Sequence, residues 1–194
     1  MNRNLSTASA PRYSGLAIGL HWLIAVAILA TFAVGLYMHD LPLSPQKLRI
    51  YSWHKWAGVT VFLFVVLRLG WRLRHRPPEL PAAMPAWQRN IATATHVLLY
   101  LLMFAVPLSG WLMSSAKGFQ TVWFGLLPLP DLLSKNVELG KLLAEVHELL
   151  NFTMAALVIA HLGAALKHHF IDRDDVLTRM LPAPGSTTLS GDGK

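Results

Sequence analysis

Four stretches of this chain, at about 16–38, 52–73, 91–115 and 144–168, are each apolar over enough residues to cross a bilayer. A hydrocarbon core roughly 30 Å thick takes about 20 helical residues, and a helix satisfies its own backbone groups where no water can. The expected fold is all-α: an integral membrane four-helix bundle over 13–181, flanked by flexible tails at 1–12 and 182–194. A composition of 54% hydrophobic and 14% charged residues excludes an ordinary soluble domain. The first run follows a basic stretch but is longer than a signal-peptide core, and no small-x-small cleavage site follows it. It reads as a retained anchor.

The net charge of +7 is unevenly spread. The loop between the second and third runs holds Arg72, Arg74, Arg76 and Arg89; the N-terminus adds Arg3 and Arg12, and the C-terminal end adds Lys167, Arg173 and Arg179. The opposite loops carry Lys47, Arg49 and Lys55 in one and Lys117, Lys135 and Lys141 in the other. The positive-inside rule then puts both termini and the Arg-rich loop in the cytoplasm. Four spanning runs leave no role for the basic charge in binding nucleic acid. "HDLPLSPQKL" reads as a short outer turn, and "KGFQTVWFGLLPLPDLLSKNVELGK" as a longer outer loop with interfacial pieces. The seven tryptophans sit mostly near span ends, where anchoring in the interface explains them.

Cysteine is absent, which excludes disulfides, thiolate-held iron–sulfur clusters and covalent c-type haem attachment. Histidine is the conspicuous alternative. In "EVHELLNFTMAALVIAHLGAALKHH", His147 and His161 lie 14 residues apart, close to four helical turns, so they share a face and are separated by roughly 21 Å. The topology sets His21 toward the inner end of the first span and His54 near the outer start of the second. His21 can therefore meet His161 at the inner side, and His54 can meet His147 at the outer side. One such histidine could simply bond a neighbouring helix. Four at matched depths point to two metal sites, each a haem iron held by two imidazoles. Gly35, 14 residues after His21, and Gly58, four after His54, leave space on the same faces.

Other polar groups at depth have open readings. His96, in the third span, is a rival ligand, or a partner for a propionate, a neighbouring helix or a quinone. Pro107 and Ser109-Gly110 mark a kink or a close helix approach. Arg68, 14 residues after His54, either meets a haem propionate or snorkels to the interface. His168, with Lys167 and His169, forms a quinone-binding or proton-donating cluster, or simply a solvated helix end. His39 and His75 read as ordinary interfacial or loop residues.

The pieces "RYSGLAIGLHWL", "WHKWAGVTVFLFVVLRLGWR", "THVLLYLLMFAVPLSGWLM", the histidine-bearing last span and "LTRMLP" resemble the bacterial cytochrome b561 family over about residues 12–182. The resemblance implies an inner-membrane cytochrome with two haem b groups, held by His21, His54, His147 and His161. It also implies electron exchange with ubiquinone. One branch of that family oxidises periplasmic superoxide, and the outer lysines would draw such an anion. Two further readings stand beside it: an electron-transfer subunit anchoring a partner dehydrogenase or hydrogenase, and a structural bundle whose histidines only bond helices.

Overall fold

A computed structural model describes residues 12–81 and 84–182 of the chain. Of the flexible tails expected at 1–12 and 182–194, all but residues 12 and 182 lie outside the described residues. Four helices long and apolar enough to cross a membrane form the molecule: α1 Gly15–His39, α2 Pro45–Arg74, α3 Ala86–Ala116 and α4 Val137–Lys167. It is a multi-pass membrane protein.

The helices begin earlier than the apolar windows because capping chemistry, not hydropathy, sets their starts. Ser44 accepts a bond from the Lys47 amide and Pro45 occupies the first turn, so α2 starts seven residues before residue 52. Asn136 caps α4 through the Leu139 amide (3.0 Å), so α4 extends back to Val137 and absorbs the last five residues of the expected outer loop.

α1 packs along α2 and α3 along α4, while α2 meets α3 less closely and α1 meets α4 only sparsely. A central core joins Ile24, Val61 and Val65, and a second joins Leu102, Val106 and Met154. Outward faces carry large exposed apolar residues such as Val26, Leu29, Leu149 and Ile159, a surface suited to lipid.

The outer loop holds an element not expected from the sequence, a small antiparallel hairpin of β1 Val122–Trp123 and β2 Leu127–Pro128. Phe124 and Gly125 turn it with positive φ. Trp56 Nε1 donates to the Val122 carbonyl (2.6 Å) and Trp123 Nε1 to Thr60 Oγ1 (3.3 Å), laying the hairpin along α2. The tryptophans thus do more than anchor: Trp22 donates to the Met180 carbonyl, Trp71 to Ser14 and Trp111 to the Pro130 carbonyl. Arg12, expected in a flexible tail, donates to the Leu181 carbonyl, and Arg179 to the Glu79 carbonyl. These bonds join Arg12, the segment at 179–181 and the Arg-rich loop at one end of the bundle.

Candidate functional site

The bundle brings the four histidines into two pairs. His54 of α2 faces His147 of α4 with ring centroids 6.4 Å apart and planes at 84°. His21 of α1 faces His161 of α4 at 6.3 Å and 68°. A metal lies about 2 Å from an imidazole nitrogen, so two rings sharing one ion have centroids on the order of 6 Å apart. Both pairs meet that requirement.

The outer pair is the more fully built. His147 Nδ1 lies 3.1 Å from the Val106 carbonyl and 3.0 Å from Ser109 Oγ, and Ser109 Oγ donates to the same carbonyl (2.8 Å). With Nδ1–H donating to these oxygens, Nε2 keeps its lone pair for a metal, the tautomer that histidine ligands adopt. His54 Nδ1 is buried without a hydrogen-bond partner. Two cavities flank the pair. One of about 640 Å³ opens toward the outer end between α2 and α3, and one of about 50 Å³ lies toward the bundle centre among Ile28, Met103 and Met154.

Three glycines shape this space. A Cβ on Gly110 would lie 3.1 Å from His147 Cε1, and one on Gly35 would lie 3.3 Å from His54 Cε1. The space that Gly35 leaves on its face is therefore taken by the His54 ring itself. A Cβ on Gly58 would meet nothing within 4 Å, and Gly58 lines both cavities. Ser109-Gly110 is a close approach of α3 to a candidate ligand. Its signal in the sequence was the depth it shares with His147.

At the inner pair, His96 stands 5.4 Å from His161, centroid to centroid, shorter than the roughly 6 Å of two rings on opposite sides of one ion. It faces the pair from α3. Arg68 Nη1 donates to the Ala17 carbonyl (2.8 Å) and Nη2 lies 3.4 Å from His21 Nδ1, so the residue reaches the inner centre. Farther toward the inner surface, α4 ends in a π-helical turn, His168–Asp172. His168 Nδ1 pairs with Asp174 (2.6 Å) and Asp172 (3.2 Å), and Lys167 with Asp172 (2.6 Å). The acidic partners were missed by the sequence reading. His169 instead packs on Phe170, apart from the cluster. His39 pairs with exposed Asp40, and His75 stacks on Trp71.

The outer cations separate in the fold. Lys47, Lys55 and Lys117 line the large cavity, whereas Lys141 pairs with Glu138 and Lys135 packs on Gly118.

Residues 12–183 match the family described as prokaryotic cytochrome b561. The chain is 36% identical over 183 residues to "Cytochrome b561 homolog 2" of Escherichia coli K12, covering 90% of this chain and 94% of that one. It is 32% identical to "Cytochrome b561 homolog 1" of the same organism, covering 88% and 97%. Against "Probable superoxide oxidase CybB" of Yersinia pestis the identity is 29%, covering 88% and 96%.

Proposed function

The chain belongs to the prokaryotic cytochrome b561 family, membrane proteins that bind haem b and transfer electrons, and from that premise we propose that it is a di-haem superoxide:ubiquinone oxidoreductase of the bacterial inner membrane. The observation that carries the reading is the pair of His–His separations, 6.3 and 6.4 Å, at two depths of one bundle. His21 and His161 hold the inner haem, and His54 and His147 the outer. When bound, the haem irons supply the one-electron chemistry that side chains lack.

The reaction balances simply. Each of two superoxide anions gives up one electron and leaves as dioxygen, and one ubiquinone takes both electrons with two protons to become ubiquinol. The positive-inside rule puts the Arg-rich face in the cytoplasm and the large cavity at the periplasmic side. There Lys47, Lys55 and Lys117 form a positive rim that favours an anionic donor. Arg68 offers a cation to a propionate of the inner haem. His168, held by Asp174 and Asp172, binds the quinone headgroup at the inner surface and donates a proton to it. The superoxide oxidase among the relatives supports this donor.

Stopped-flow mixing of superoxide with the oxidised, quinone-free protein tests the reading. Fast haem reduction is expected. A redox-active protein that superoxide does not reduce would end the oxidase reading and leave the electron-transfer subunit of a partner dehydrogenase or hydrogenase. Optical spectra of His147→Ala and His21→Ala test the pairing: each variant should lose one haem and keep the other.

A further inference from the structure

Two lysines away from the outer cavity, Lys141 and Lys167, bond carboxylates, Glu138 at 2.9 Å and Asp172 at 2.6 Å. The three that line the cavity have no carboxylate within 4 Å among the described residues. Lys55 Nζ donates to Ser114 Oγ (2.9 Å) and the Phe119 carbonyl (3.1 Å). Lys47 Nζ donates to the carbonyls of His39 (3.2 Å) and Leu41 (2.5 Å). Neutral oxygens satisfy an ammonium's geometry but not its charge, and partial burial makes an uncompensated charge costly. Lys55 is half-buried and follows His54 directly in α2, so its position is fixed by the same helix that presents the outer imidazole. Asp131 acts on Lys55 through space but forms no ion pair with it. Three cations with no carboxylate within 4 Å, around one cavity with two facing imidazoles at its base, suit an occupant that brings its own carboxylates.

We propose that Lys47, Lys55 and Lys117 are the carboxylate-binding rim of the outer cavity, with Lys55 at its centre, so that the outer haem lies with its propionates toward the outer surface. The proposal rests on the di-haem reading. Charge-assisted bonds from these ammonium groups to a propionate are stronger than the bonds to neutral oxygens that they join or replace. Because Lys55 also holds Ser114 and the Phe119 carbonyl, a carboxylate bound there sits where α2, the end of α3 and the outer loop meet. The position of that loop is thereby coupled to the cofactor.

The test compares the purified wild-type protein with Lys55→Met, Lys117→Met, the double variant and Lys55→Arg. Three properties are read: haem content by pyridine haemochrome, the redox titration, and transfer of haem to excess apomyoglobin. In Lys55→Met, one of the two haems should leave on the order of tenfold faster, as the loss of one charge-assisted bond implies. One redox wave should move to lower potential, because a lost cation favours the oxidised iron, and the other should stay. Lys55→Arg should resemble wild type. Unchanged haem transfer and unchanged midpoints in the double variant would overturn the proposal. A wild-type protein carrying a single haem would instead overturn the di-haem reading beneath it. If Lys55→Met does not fold, reconstitution of wild type with haem dimethyl ester reads the same interaction. Retention of the ester at the outer site equal to that of the free acid would also overturn the proposal.

Discussion

Gly110 and His147 are in contact so close that a methyl group on the glycine would sit 3.1 Å from the imidazole edge. The ring rests on bare α3 backbone, and Val106 and Ser109 hold its inner nitrogen from the same helix. Gly110→Ala must push the ring by a few tenths of an ångström, so the protein should fold and yet hold its outer haem less tightly. Gly58→Ala is the complementary variant. Its new carbon meets no protein atom within 4 Å, so any loss of haem content it causes reports the cofactor's presence against α2. Haemochrome content against protein concentration measures both.

Ser109→Ala keeps the Val106 carbonyl but removes the hydroxyl that bridges it to His147. Partners of this kind typically contribute 10–100-fold to metal affinity. Haem loss from one site should accelerate by about tenfold, at the low end of that range, with the second haem unaffected. Equal rates in wild type and variant would show that the Val106 carbonyl alone sets the ring.

The inner cluster has three imidazoles, and geometry chooses between them. His21→Ala and His161→Ala should each leave one haem. His96→Ala should leave two, because its 5.4 Å separation from His161 is shorter than opposed ligands of one ion require, whereas His21 at 6.3 Å meets that distance. A one-haem His96→Ala protein with His21→Ala retaining both would reverse the assignment.

Asp174→Asn weakens the hold on His168 without touching the paired histidines. Haem content and reduction by the donor should persist, while quinol formation slows several-fold. Rates of quinone reduction measured with the haems already reduced isolate this step.

Trp56→Phe removes the indole donor to the Val122 carbonyl, which keeps its bond from the Gly125 amide. The expected cost is about 1 kcal/mol, typical of one hydrogen bond. It should appear as faster protease cleavage within 117–136.

The membrane bundle and the pairing of the imidazoles were legible because both depend on period. Apolar runs of sufficient length mark the spans, and a 14-residue interval on one helix places His147 and His161 on one face at two depths. Arg68 was legible by the same arithmetic and does reach His21. What supports His147, the outer candidate ligand, was not. The contacts of His147 with Val106 and Ser109 cross 41 and 38 residues, and they arise only when α3 lies against α4. The hairpin was hidden because two-residue strands give no alternating pattern. The early starts of α2 and α4 were hidden because hydropathy sees only the part of a helix within lipid, whereas Ser44 and Asn136 act at its end.

The packing of the helices carries a consequence for how the protein matures. α1 and α2 form one hairpin and α3 and α4 another, and each imidazole pair draws one member from each. A group gripped by either pair is therefore a cross-link between halves that meet less closely than the helices within them. Binding of the cofactor is then also an assembly step, one that closes the two helical hairpins onto each other.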